Sequence, residues 1–362
     1  MSLKCGIIGI TSVGKTTIFN CISNTRGETN TFGTGVKANL GVIQVPDRRL
    51  YELEKFQPTE RIVHTTVDIV DIPGLVRGQG DSSGARLLGE IRNTDALIHV
   101  LRCFDDDAVP HIDGSVDPVR DLENVEFELQ LKDTESVDKK IQRLERAVKT
   151  GDKDAKHGVE MLNRYKEHLQ AFQNASTLDL RPEEKKVVDD IFLLTMKPVL
   201  YVCNVDEKSA VDGNRHVEAV TKYLGNRGAV PLVIAGALEA EIATLSDPDE
   251  RMEFLQASGL NEPGVNKLVR AAYEMLNLQT FFTVGPKEIR AWTISAGMTA
   301  PQAAGVIHSD LERGFIRAEV MKYEDFIKLG SEHACREAGK LFVEGKTYVV
   351  DDGDILHIRF NV

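Results

Sequence analysis

The sequence predicts an α/β fold in which a mostly parallel sheet is split by a helical, coiled-coil-like insertion and followed by a small β-rich domain. Three observations predict it. Short apolar runs alternate with glycine loops and helical stretches as far as residue 235. Charged residues fill 30 of the 70 positions from 121 to 190, against 28% of the whole chain, so that stretch interrupts the alternation. Beyond Asn277, strand-like runs crowd between turn residues.

Each element follows from its own pattern. The β-like runs are Lys4–Ile10, Val42–Val45, Val67–Asp71, Ala96–Arg102, Pro198–Asn204 and Ala229–Ala235. In the charged stretch, Val137, Ile141, Leu144 and Val148 repeat at helical spacing, and Val159, Leu162 and Leu169 follow after "TGDKDAKHG". This predicts two amphipathic helices lying antiparallel in a protruding arm. The alternative is a charged helical layer lying flat on the sheet. In the last segment "TFFTVGPKEIRAWTI" and "YVVDDGDILHIRF" read as strands, "DDGD" as a tight turn, and "TAPQAAGVIHSDLERGF" as one helix with Thr299 near its start. The expected division is 1–120 with 196–277 for the sheet domain, 121–195 for the arm and 278–362 for the terminal domain.

Composition excludes several classes. At 362 residues the chain is long enough for roughly two or three domains, and no run approaches the ~18 apolar residues of a membrane span. The start "KCGIIGI" has none of the parts of a secretory leader, so a cytoplasmic protein is expected, without membrane partners. Five scattered cysteines suggest neither a disulfide framework nor a zinc site. A net charge of −12 argues against a surface that adheres to nucleic acid as a whole. A monomer is expected.

The chemistry lies in three constellations. Gly9-x4-Gly14-Lys15-Thr16 follows a strand and precedes a helix, the context that makes the P-loop pattern specific. Phosphate oxygens need many donors at short range. The backbone of Gly9, Ser12, Val13, Gly14, Lys15, Thr16 and Thr17 can turn its N–H groups inward, and glycines permit that where a Cβ would clash. Lys15 supplies a point charge for the β- and γ-phosphates, and the Thr16 hydroxyl can ligate Mg²⁺. Second, Asp71-Ile72-Pro73-Gly74 ends a strand, where the carboxylate can hold a metal-bound water and the Gly74 N–H can meet a γ-phosphate. The glycine-rich stretch after it is suited to ordering around that phosphate. Leu75 stands where switch proteins of this class commonly have a water-orienting glutamine. Third, the guanine-reading Asn-Lys-x-Asp element appears as Asn204-Val205-Asp206-Glu207, with a carboxylate one methylene longer at its fourth place. That weakens guanine preference without establishing adenine preference, so the residues leave ATP and GTP both open as substrate.

These motifs, with "IRNTDALIHVLRCFDDD", the charged arm, "NLQTFFTVGPKEIRAWTI" and the terminal "EGKTYVVDDGDILHIRFNV", make the chain similar nearly end to end to the YchF, or Obg-like ATPase, family of P-loop NTPases. The resemblance implies an NTPase domain carrying a coiled-coil-like insertion, then a TGS domain of β-grasp type. It also implies ATP preferred over GTP, slow intrinsic hydrolysis with Mg²⁺, and association with the ribosome or its large subunit. It places Gly236, Ala237 and Leu238 of "AGALEAE" beside the base. It offers His111 of "DDDAVPHIDG" as the catalytic substitute for the missing glutamine, on a loop where the residues themselves suggest exposure.

The match has three departures. Thr11-Ser12 replaces the family's Pro-Asn, which is associated with potassium stimulation. The first switch reads "TNTFGTGVKAN", making Thr34 the metal-contacting candidate beside Thr16 and Asp71, and the second switch is about two residues short. Rival readings are an Obg-type GTPase, or a nucleic-acid-binding module whose NTPase activity is vestigial. Residues 278–362 carry ten Lys or Arg against twelve Asp or Glu. Any RNA contact would therefore need arranged patches such as Arg313 with Arg317, or the arm's Lys140 with Arg143. Trp292 reads as core and His308 as helix surface.

Overall fold

The computed structural model describes residues 3–24, 39–73, 88–245 and 247–361. The chain divides into two compact units, one built from Leu3–Gly41 and Asp68–Lys267, the other containing Val42–Val67 and Leu268–Val362.

The first unit holds the expected α/β sheet. Its strands are β1 (Leu3–Ile8), β2 (Asn39–Gln44), β4 (Thr66–Asp71), β5 (Ala96–Arg102), β6 (Val199–Asn204) and β7 (Leu232–Ile234), in the order β2-β4-β1-β5-β6-β7. The pairs β1–β5, β5–β6 and β6–β7 are parallel. Every residue of β5 is buried, which explains a run that is apolar except at His99 and Arg102. The strand order reverses at β1, with β4 on one side and β5 on the other, and "GITSVGKT" leaves β1 at that switch point. Open α/β sheets form their ligand crevice there.

The arm combines both helical readings. Helix α3 (Pro118–Lys149) starts three residues earlier than expected, because Asp117 accepts a hydrogen bond from the Arg120 N–H and Pro118 fills the first turn. Its first turns lie on the sheet, with Leu122 in a core shared with Leu101, Tyr201, Cys203, Val220 and Leu224. Its distal half pairs with α4 (Lys153–Gln170), where Val137 and Ile141 pack on Leu162, Tyr165 and Leu169. Asp152 caps α4 by accepting from the Asp154 and Ala155 N–H groups. The arm is tied off by buried Asp133, which accepts from the N–H groups of Leu194 and Thr195 at 2.7 and 2.8 Å and from the Thr195 hydroxyl at 2.7 Å.

The second unit is larger than the terminal domain expected over 278–362, taking in Val42–Val67 and starting its last segment at Leu268. It contains a six-stranded sheet in the order β11-β10-β12-β8-β9-β3, from β3 (Ile62–Val63), β8 (Leu278–Val284), β9 (Ile289–Ser295), β10 (Phe315–Lys322), β11 (Leu341–Glu344) and β12 (Asp354–Phe360). Strand β3 pairs in parallel with β9, and helix α2 (Arg49–Phe56) buries Leu50 and Leu53 against Phe282, Ile289 and Phe326. The segment between β2 and β4, with α2 and β3, therefore packs with the terminal segment. The single helix expected from 299 to 315 is two helices, Ala300–Ile307 and Ser309–Arg313, divided at His308. His308 is extended (φ −163°), and its Nδ1 accepts from the Asp310 N–H at 3.2 Å. Trp292 packs beside the Phe281 core and donates from Nε1 to Thr283 at 3.0 Å.

Candidate nucleotide site

The P-loop is shaped by residues with positive φ. Gly9 (φ +146°) and Gly14 (φ +93°) alternate with Ser12 (φ +61°), a conformation that costs a non-glycine residue roughly 1–2 kcal/mol. A Cβ on Gly9 would lie 2.5 Å from the Val100 carbonyl oxygen, and one on Gly14 would lie 2.1 Å from Asn204 Nδ2. Both glycines are thus required by contact as well as by backbone angle. Helix α1 (Lys15–Asn24) starts directly from the loop, with the Ile18 N–H on the Gly14 carbonyl at 3.0 Å.

Lys15 is buried, and its Nζ donates to the carbonyls of Gly9 at 3.1 Å and Ile10 at 2.6 Å. Burial lowers its pKa to about 8, while Asp71 opposes that shift, so the ammonium stays charged at neutral pH. The Thr16 hydroxyl donates to Asp71 Oδ2 at 3.0 Å. Burial raises the Asp71 pKa, and the Thr16 hydrogen bond and the Lys15 charge pull it back. Strands β1 and β4 therefore bring Lys15, Thr16 and Asp71 together. Ser12 is exposed, Val13 buried and Thr17 half-buried.

Asn204 has a role its sequence position did not reveal. Its Nδ2 donates to the Val13 carbonyl at 2.9 Å, and its Oδ1 accepts from the Gly236 N–H at 3.0 Å. This buried amide ties the P-loop to the start of α5 (Gly236–Thr244), where Leu238 is buried and Ala237 exposed. Asp206 is used locally, accepting from the Ser209 N–H at 2.9 Å, whereas Glu207 is exposed. Both carboxylates are exposed, and the fourth-place one is not spent on a local cap.

His111 is not the exposed loop histidine expected. Its side chain is 4% exposed, and Nε2 lies 2.9 Å from Asp121 Oδ2. The Asp113 N–H donates to Nδ1 at 3.1 Å, so Nε2 carries the proton and donates to Asp121. Arg120 binds the other Asp121 oxygen. Both ring nitrogens are occupied, and the partner carboxylate sits in the first turn of the arm helix. Thr34 and Gly74 lie outside the described residues, as does most of the glycine-rich stretch after Gly74.

His99, which sequence reasoning passed over, is buried on β5 beside Ile8 of β1. Its Nε2 has no hydrogen-bond partner among the described residues. Burial, then the Lys15 charge, lowers its pKa to about 3. The folded protein stays neutral at His99 down to that pH, while an unfolded chain takes up a proton from about 6.5 downward. Unfolding therefore becomes easier as pH falls through this window. Between pH 7 and pH 4, denaturant titrations of wild type are expected to lose about 3 kcal/mol more stability than those of His99→Leu.

Two family models match the chain: YchF-GTPase_C, described as "Protein of unknown function (DUF933)", over residues 278–361, and MMR_HSR1, described as "50S ribosome-binding GTPase", over residues 4–143. The chain is 44% identical over 365 residues to the "Ribosome-binding ATPase YchF" of Haemophilus influenzae, with all of both chains covered. It is 42% identical over 367 residues to the protein of that name from Bacillus subtilis, again covering both chains in full. The solved structure described as the Schizosaccharomyces pombe YchF GTPase superposes with a TM-score of 0.87 at 31% identity, covering 99% of this chain and 98% of that one.

Proposed function

The chain belongs to the YchF family, and from that premise we propose a ribosome-associated enzyme that binds ATP in preference to GTP and hydrolyses it slowly, as a conformational switch linked to translation. The observation that carries this reading is the joining of three sequence-distant elements. Lys15 and the Thr16–Asp71 pair meet at the end of β1, and Asn204 links the P-loop to the loop that would border the base. Glu207 weakens the case for guanine, since its longer, exposed carboxylate replaces the aspartate that reads guanine, and the preference for ATP rests on the family resemblance.

Thr16 and Asp71 suit Mg²⁺, being two oxygen donors 3.0 Å apart beside a fixed cation. Bound there, the ion would neutralise charge on the β- and γ-phosphate oxygens. The loop N–H groups and Lys15 would position the triphosphate and stabilise charge developing on its transferred group. We read Gly236–Leu238 as the wall beside the base, residues 121–195 as the arm and the terminal sheet as a TGS module. The protein would act as a cytoplasmic monomer. Several basic residues considered for RNA are already paired, Arg143 and Lys140 with Asp190 and Arg313 with Asp310. A GTPase remains the second reading, favoured by the GTPase description of the family model matching residues 4–143.

His111 would orient the attacking water only after leaving Asp121. Asp121→Asn keeps the size of the partner and weakens the charge-assisted bond that holds the imidazole. Basal ATP turnover is expected to rise roughly three- to tenfold, as ~0.7–1.4 kcal/mol is removed from the opening step. Unchanged or lower turnover, with unaltered ATP affinity, contradicts the role of this pair. The function as a whole is tested by measuring ATP hydrolysis with Mg²⁺, alone and with purified ribosomes. Slow turnover that ribosomes alter is expected; absence of turnover in both supports a vestigial NTPase.

A further inference from the structure

Strand β5 ends on Arg102, a residue only 1% exposed. Among the described residues its guanidinium bonds to the backbone of the loop that follows. Nε donates to the Phe104 carbonyl at 3.2 Å, Nη1 to the Val109 carbonyl at 2.7 Å and Nη2 to the Asp106 carbonyl at 3.1 Å. The Phe104 ring centre lies 4.6 Å from Cζ. These partners are three carbonyls and a ring, with no carboxylate among them. Burying a cation without a counter-charge is costly, and an apolar side chain would fill the space without that penalty. What the guanidinium supplies is a rigid fork whose donors fix three carbonyls at once.

The loop from 103 to 115 is thereby held in two halves by different elements. The first half is fixed from the sheet. Besides the Arg102 contacts, the Cys103 N–H donates to the Asn204 carbonyl at 2.8 Å, and the Cys103 carbonyl accepts from Asn214 Nδ2 at 2.7 Å. The second half is fixed from the arm helix α3, through His111 on Asp121 and through Arg120, which donates to the Ser115 carbonyl at 2.7 Å. The two halves meet between Val109, the last carbonyl that Arg102 binds, and exposed Pro110. His111 lies two residues beyond Val109, so its backbone stays within about 7 Å of that anchor even when the bond to Asp121 opens. The anchor is tied to the end of β5, and the P-loop begins against the same strand, with Gly9 tight on the Val100 carbonyl.

We propose that Arg102 is a positioning residue for ATP hydrolysis: it fixes the point about which residues 110–115 swing when His111 leaves Asp121, and so keeps the imidazole close to the phosphate site. The inference rests on the reading of His111 as the residue that orients water. Arg102 itself lies buried under the loop and acts through His111.

The test measures kcat and KM for ATP in the full-length protein, in a wild-type and a His111→Ala background. Arg102→Lys keeps the charge and loses the fork. Inserting two glycines between Val109 and Pro110 leaves the core untouched and doubles the tether, for which the −3/2 power of length gives about a threefold loss. Should Arg102→Lys unfold, the insertion carries the turnover test. Both changes are expected to lower kcat by about three- to tenfold with KM unchanged, and neither is expected to lower the turnover that remains once His111 is alanine. Equal losses in both backgrounds would show a merely structural role and overturn the proposal. The pivot is also read without turnover, from ¹⁵N-labelled histidine in Asp121→Asn, where the imidazole is released, with the His111 ring signals assigned by their loss in His111→Ala. Adding Arg102→Lys or the insertion is expected to move those signals towards the sharp signals of an unrestrained histidine. Unchanged signals overturn the pivot whatever happens to turnover. Wild-type turnover in His111→Ala, by contrast, would sink the water-orienting reading of His111 and the catalytic half of this proposal, while the ring signals still decide the pivot.

Discussion

Lys15→Ala is expected to lower ATP turnover by about 10²–10³-fold, the usual effect of removing one preorganised group that stabilises transition-state charge. In the folded chain the ammonium is already buried and held by the Gly9 and Ile10 carbonyls, so it is in place before substrate arrives. The substitution should not harm the fold. Burying that charge lowers its pKa to about 8 from an ordinary 10.5, which means the charged form is disfavoured by folding. The penalty is fully present below about pH 8 and fades as pH rises towards the unfolded value, because the unfolded chain then holds the proton that the folded one has lost. Lys15→Ala should consequently unfold at an equal or higher denaturant concentration at pH 7. Turnover assays paired with denaturant titration check both halves. Near-normal hydrolysis would show that the phosphate does not lie on this loop.

Asn204→Ala should damage stability and binding together. Removing the amide strands the Val13 carbonyl and the Gly236 N–H inside the protein, at about 1–3 kcal/mol each. We expect a loss of about 2–5 kcal/mol in denaturant titrations. ATP affinity should fall at least tenfold, since the P-loop and the start of α5 lose the strut that fixes their spacing. Asn204→Asp separates the two bonds: it still accepts from Gly236 but faces the Val13 carbonyl with an acceptor, so it should fall between wild type and alanine. An alanine variant with normal stability would contradict the strut.

What could be read from the sequence were features set by local chemistry. Strand β5 was legible to the residue, because a fully buried parallel strand is apolar at nearly every position, here all but His99 and Arg102. The P-loop was legible because its glycines serve backbone angles as well as contacts, and the arm because helical spacing persists through dense charge. The failures share a different cause. Nothing in "RRLYELEKF" announces that Leu50 and Leu53 pack on a domain more than 200 residues later in the chain. The break at His308 required knowing that its ring would cap the next turn. His111 looked exposed from its loop neighbours, yet Asp121, ten residues on, buries it. His99 passed unnoticed because one histidine in an apolar strand has no pattern, and its complete burial shows only once the strand is covered on both faces.

The most direct test of the account is to titrate the purified full-length protein with labelled ATP and GTP in the presence of Mg²⁺. Saturable ATP binding, tighter than that of GTP and lost in Lys15→Ala, is the expected result. Tight GTP binding with no detectable ATP binding would contradict it.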